Sequence, residues 1–118
     1  MSEETYQGSC HCGAVTYEVA IDLPQVVSCN CSICSKKGTL LAFAPKAKFN
    51  LKSGDEHLTD YQFGKKAIHH LFCNTCGVTP FGLGSMPDGT EMAAVNVRCL
   101  EGVDFESIPV HHYDGKSI

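Results

Sequence analysis

Seven of the eight cysteines fall into three short clusters: Cys10-x-Cys12, Cys29-x-Cys31-x-x-Cys34 and Cys73-x-x-Cys76, with Cys99 alone. Thiolates this closely spaced are soft-metal ligands, and zinc is the usual metal for sulfur in tetrahedral geometry. Zn–S bonds of about 2.3 Å put two sulfurs on one ion roughly 3.7 Å apart. A C-x-x-C turn delivers that separation. So does C-x-C, because residues i and i+2 project to one face of an extended chain. Seven ligands divide most naturally as four plus three, which predicts two zinc ions per chain. Gly13 follows Cys12 and Gly77 follows Cys76, and glycine there lets the backbone turn tightly and aim N–H groups at sulfur. The matching flanks group Cys10, Cys12, Cys73 and Cys76 as one closed, structural site. Cys29, Cys31 and Cys34 leave a zinc ion one ligand short, and an open fourth position is the mark of a catalytic site. The rival reading is a second structural site, completed by Cys99 or a histidine.

The residues around these clusters carry weaker signals. Ser35, Lys36 and Lys37 follow Cys34, a local positive spot that would draw an anionic ligand; taken alone, the two lysines read as solvated side chains. His69 and His70 must face opposite ways if they lie on a strand; an acid–base role is open to one of them, but surface or core packing is the favoured reading, and no residue is singled out as general acid. His11 lies between Cys10 and Cys12 but should point away from their sulfurs. His57, His111 and His112 show no pattern, and the last two are expected at the surface. Cys99 is in phase with Val95 and Val97, which predicts a buried apolar thiol, with redox catalysis as the alternative.

Composition narrows the function classes. The chain has 118 residues, 43% hydrophobic and 19% charged, with a formal net charge of −4. That is an ordinary globular composition for a single domain, residues 1–118. The acidic balance argues against a nucleic-acid surface. The start, Met-Ser-Glu-Glu-Thr-Tyr, lacks a basic and an apolar region, so no signal peptide is expected. No run of 18 apolar residues suggests a membrane span. A cytoplasmic protein follows as the expectation, and in that reducing setting eight cysteines point to metal or catalysis rather than disulfides.

The elements that must position these groups show mostly a period of two. Val15, Tyr17, Val19 and Ile21 alternate with polar or small residues, predicting a half-buried strand over Ala14–Ile21. Thr39–Ala44 is a short apolar run stopped by Pro45, and Phe49 and Leu51 alternate with Lys48, Asn50 and Lys52. Leu58–Phe63 and Ala67–Phe72 predict a hairpin around Gly64, and Met92–Leu100 a strand with Ala93, Val95, Val97 and Cys99 on one face. Helical turns are expected only after Cys31 and near Asp104–Ser107. The fold class is therefore mainly β, built of short antiparallel strands.

GSCHCGAVTYEV, SCNCSICSKKG, HHLFCNTCGVTPFG and NVRCLEGVDF, taken in that order, resemble the glutathione-dependent formaldehyde-activating enzyme family, which includes the domain of centromere protein V. The resemblance covers roughly residues 8 to 106. It implies a small zinc-binding β-tent fold. It implies a structural zinc on Cys10, Cys12, Cys73 and Cys76, and a catalytic zinc on Cys29, Cys31 and Cys34. The implied reaction adds glutathione to formaldehyde, giving S-(hydroxymethyl)glutathione, and is classed as carbon–sulfur lyase chemistry when read in reverse. Two rival functions are a zinc-stabilised module that binds a thiol or a protein without turnover, and a redox protein that uses Cys99.

Overall fold

The computed structural model describes residues 3–62, 68–86 and 88–114. Ten strands dominate them: β1 (Glu4–Ser9), β2 (Thr16–Ile21), β3 (Val26–Cys29), β4 (Leu41–Pro45), β5 (Phe49–Ser53), β6 (Leu58–Tyr61), β7 (Ile68–Cys73), β8 (Phe81–Ser85), β9 (Glu91–Asn96) and β10 (Val110–Tyr113). A single α-helical turn, α1 (Cys34–Lys37), follows the middle cysteine cluster, and short 3₁₀ turns include one at Phe105–Ser107, as expected. No helix among the described residues is long and apolar enough to cross a membrane.

The strands form a three-stranded sheet, β1-β2-β5, and a seven-stranded sheet, β10-β3-β4-β9-β8-β7-β6. The predicted alternation holds on β2, where Tyr17, Val19 and Ile21 are buried, as is Val15 just before it. They pack against Ala42 and Ala44 of β4, Phe81 of β8 and Val95 of β9 in one continuous core. Tyr17, Phe49 and Phe81 sit at its centre, with ring centroids 4.5 to 5.4 Å apart. These tilted and edge-on pairs add roughly 0.5–1.5 kcal/mol each beyond simple burial. Because side chains alternate along a strand, the core-facing set leaves Leu41, Phe43, Gly82 and Ala94 on the outer face of the large sheet.

The hairpin predicted around Gly64 is present as β6 and β7, paired from Leu58↔Cys73 to Tyr61↔His70; its turn, residues 63–67, lies outside the described residues. Two expectations need correction. The sheets are antiparallel with one exception: β10 runs parallel to β3, with Tyr113 opposite Cys29. The strand predicted through Leu100 stops at Asn96, and Val97–Cys99 forms a 3₁₀ turn. The Asn96 side chain causes the stop, because its Oδ1 accepts a hydrogen bond from the Arg98 N–H at 3.2 Å and offers the backbone a turn in place of the ladder. Cys99 is thereby taken out of phase with Val95 and Val97, and is half-buried.

Asn96 also ties together the segment between the last cysteine cluster and β8. Its Nδ2 donates to the Thr79 carbonyl at 2.9 Å and its backbone N–H donates to the Pro80 carbonyl at 3.1 Å. The Tyr17 hydroxyl donates to that same Pro80 carbonyl at 2.9 Å. Truncating Asn96 removes its two side-chain bonds, to the Thr79 carbonyl and from the Arg98 N–H, from a buried position. Asn96→Ala is expected to lose about 1–3 kcal/mol, read as a lower urea midpoint at an unchanged m-value.

Candidate metal centre and adjoining chamber

The structure brings Cys10, Cys12, Cys73 and Cys76 together, with all four sulfurs within 4.8 Å of one another. Cys10 and Cys12 are 3.6 Å apart, and Cys12 and Cys73 3.7 Å. Those are the edges of a sulfur tetrahedron around an ion with bonds of about 2.3 Å. Two matching backbone turns present them. Gly13 and Gly77 both take a φ of +81°, a conformation that side-chain-bearing residues rarely adopt. Each returns its N–H to the first cysteine of its cluster, Gly13 to the Cys10 carbonyl at 3.3 Å and Gly77 to the Cys73 carbonyl at 2.8 Å. Each first cysteine in turn bonds the residue leaving the turn: the Cys10 and Cys73 N–H groups donate to the Val15 and Val78 carbonyls. The Val15 N–H donates to the Cys10 sulfur at 3.4 Å.

Electrostatics at this cluster favour a cation. Backbone N–H groups at Val78 and Cys12 pull the Cys76 thiol down to about 6, and those at Cys76 and Thr75 lower Cys73 despite its burial. Cys12 goes the other way. The Ala14 N–H favours its thiolate, but burial and the neighbouring sulfurs Cys10, Cys73 and Cys76 push it up to about 11. Four crowded sulfurs cannot all carry charge unaided, and a divalent ion removes the conflict. The all-sulfur donor set and its spacing fit zinc.

Cys29, Cys31 and Cys34 form the second cluster, again with sulfurs within 4.8 Å of one another. Cys29 ends β3, and Cys31 and Cys34 lie three apart on the turn leading into α1, which puts them on one side. The Ser35 N–H donates to the Cys31 carbonyl, and the Lys37 N–H to the Ile33 carbonyl, both at 3.0 Å. Gly38 ends the turn in the left-handed region, its N–H on the Cys34 carbonyl at 3.0 Å. From the other side β10 fixes the end of β3, where the Asn30 N–H donates to the Tyr113 carbonyl at 3.1 Å. Among the described residues no fourth cysteine, histidine or carboxylate atom joins this group. Cys99 does not complete it: its sulfur reaches the Thr79 carbonyl at 3.7 Å, and burial, with Cys10 and Cys76 nearby, pushes the thiol up to about 11.

The three sulfurs open onto a chamber of about 210 Å³ on the outer face of the large sheet. Val27, Leu41, Phe43, Ile68 and Ala94 give it apolar walls, while Lys37, Thr39, His70, Thr79 and Tyr113 are the residues with polar groups that line it.

The profile of the glutathione-dependent formaldehyde-activating enzyme family matches residues 5–113. The chain belongs to this family. A crystal structure of a Rhodobacter sphaeroides protein is similar at a TM-score of 0.77 and 36% identity, over 89% of this chain and 99% of that one. Membership carries the link to glutathione and formaldehyde, and among the described residues the two cysteine clusters are groups that could hold a metal ion.

Within this family member the histidines separate as strand alternation requires. His69 is exposed on the core side of β7, with Nδ1 2.6 Å from an Asp60 carboxylate oxygen. His70 faces the chamber. Burial and the Lys37 charge hold His70 below the ordinary histidine range, against the opposing pull of Asp60, so the ring is neutral near pH 7. His11, His111 and His112 are exposed, His57 is half-buried, and none joins a cysteine cluster. At the open cluster burial works against the Cys31 thiolate, but N–H groups at Cys34 and Ile33 and hydrogen bonds from Cys34 and Cys29 outweigh it and lower its pKa. Burial and the adjacent Cys31 push Cys34 up to about 12.

Sequence reasoning missed the chamber walls. One signal was present: Phe81-Gly82-Leu83-Gly84-Ser85 alternates large residues with glycine, so one face of β8 is filled and the other left open. A side chain at Gly82 would bring its Cβ within 3.0 Å of the His69 carbonyl; glycine keeps the chamber floor low.

Proposed function

We propose that this chain is a zinc-dependent, cytoplasmic enzyme, acting as one domain, that joins a small thiol such as glutathione to an aldehyde such as formaldehyde. The observation that carries the reading is the cluster of Cys29, Cys31 and Cys34: three sulfurs, with no fourth ligand among the described residues, opening onto a chamber. Cys10, Cys12, Cys73 and Cys76 would hold a second, structural zinc. A zinc ion on the open cluster supplies, when bound, a Lewis acid that keeps a thiol deprotonated near neutral pH.

The chain's own residues do the rest. Lys37 at the chamber edge draws an anionic thiol inward. Apolar walls exclude water from the carbonyl carbon and strengthen the polar contacts inside. As sulfur bonds to carbon, the carbonyl π pair moves onto oxygen, and that oxygen must gain a hydrogen bond and then a proton. His70, neutral and lining the chamber, is the group assigned to take up the proton the thiol loses and, as the imidazolium, to hydrogen-bond that oxygen and pass the proton on to it. His70→Gln keeps a hydrogen-bond donor but cannot pass a proton, and kcat is expected to fall by roughly 100-fold or more with KM changed little. An equal fall in His69→Gln would remove His70 from this role.

Exchange NMR of glutathione and formaldehyde at equilibrium tests the function itself, because it measures adduct formation and breakdown above the spontaneous rate. Catalysis by the wild-type zinc protein is the expected result. Exchange at the spontaneous rate, with the thiol still bound, would instead make the chain a binding module.

A further inference from the structure

The chamber at the open cysteine cluster is larger and more apolar than formaldehyde requires. Its volume is about 210 Å³, some seven times the roughly 30 Å³ that one water occupies in the liquid, whereas formaldehyde has only two heavy atoms. Three large apolar side chains stand around it half in solvent: Phe43 is 50% exposed, Ile68 52% and Tyr113 44%. Large apolar residues grouped on one patch mark a binding surface. Lys37, Thr39 and Thr79 stand at the border between the chamber and a neighbouring cleft that Phe72, Val78 and Asn96 also line, and a second cleft runs along Ser28, Asn30, Ser35, His112 and Asp114. The carboxylate and amide groups of a charged thiol find hydrogen-bond partners along that border and in the clefts, whereas against Val27, Leu41, Phe43, Ile68 and Ala94 they would be desolvated and unmatched.

We propose that the chamber accepts an aldehyde with an apolar body, a medium-chain aliphatic or aryl aldehyde, with its carbonyl toward Cys29, Cys31 and Cys34. This rests on the thiol–aldehyde reading above and names the substrate class of the same site. The step balances without a redox partner. A sulfur–carbon bond forms, the carbonyl π bond breaks, the electron pair goes to oxygen, and the proton lost by the thiol ends on that oxygen. Gly82 and Ala94 form a floor without bulk, and Leu41 and Phe43 form the wall against which the chain of the aldehyde lies.

The test is a substrate series on the zinc-loaded protein: glutathione with formaldehyde, butanal or hexanal, each followed by exchange NMR against its own spontaneous rate. Burying one methylene is worth about a fourfold gain, so kcat/KM should rise roughly 16-fold from butanal to hexanal. Phe43→Ser should flatten that rise by about tenfold, and Ile68→Ser, on a different strand, provides the same readout if the first variant does not fold. Turnover of formaldehyde with hexanal slower than butanal overturns the inference and leaves the proposed function standing. A rise that neither variant flattens also overturns it, because the selectivity then arises elsewhere. Absence of turnover with every aldehyde overturns the proposed function and this inference together.

Discussion

Cys73→Ser should abolish the folded state rather than weaken it. Cys73 is fully buried at the end of β7, and its sulfur lies 3.7 Å from that of Cys12, a residue 61 positions earlier in the chain. The four-sulfur site thus joins the turn between β1 and β2 to the turn after β7, closing a long loop in a small protein. Structural zinc in small domains contributes about 10–16 kcal/mol of apparent binding energy near neutral pH. The whole stability of a domain is only about 5–15 kcal/mol. Serine is a poor zinc ligand and leaves a buried hydroxyl beside three thiols that then compete for charge. The expected result is loss of zinc and of the cooperative thermal transition in circular dichroism. Zinc chelation of the wild type should reproduce both, and acid should too, as the four sulfurs take up protons. A Cys73→Ser protein that melts within a few degrees of wild type would show that the site does not hold the fold.

Cys31→Ser should do the opposite: leave the fold and remove the chemistry. Cys31 is half-buried, at the chamber rather than in the core, and the β-sheet contacts around it come from Cys29 and Tyr113. It is also the sulfur of the open cluster whose thiolate is favoured. Losing a group that merely orients a metal ligand costs about 10–100-fold, and losing the ligand itself should cost more. The variant is expected to melt within a few degrees of wild type, while glutathione–formaldehyde exchange falls at least 100-fold. Retained exchange in this variant would place the reaction elsewhere on the molecule.

The clusters were legible in the sequence because ligand spacing is a local property. Gly13 and Gly77 mark the paired turns in the sequence, and both adopt the same positive φ. The core face of β2 was legible for the same reason, since Val15, Tyr17, Val19 and Ile21 repeat every second residue. What could not be read was whatever depends on distant pairing. Val110–Tyr113 shows no strong alternation and becomes a strand only by lying parallel to Val26–Cys29. Asn96 ended β9 early through a side-chain bond that periodicity cannot register. The chamber combines residues from β3, β4, β7, β8, β9 and β10 with α1, so no short window of sequence contains it.

Elemental mass spectrometry on protein purified without chelator, run in parallel on wild type and Cys31→Ser, reads the open site directly. Two zinc ions per wild-type chain, and one in the variant, are the expected counts. One ion in both proteins would contradict a second metal centre at Cys29, Cys31 and Cys34, and with it the thiol–aldehyde chemistry assigned to the chamber.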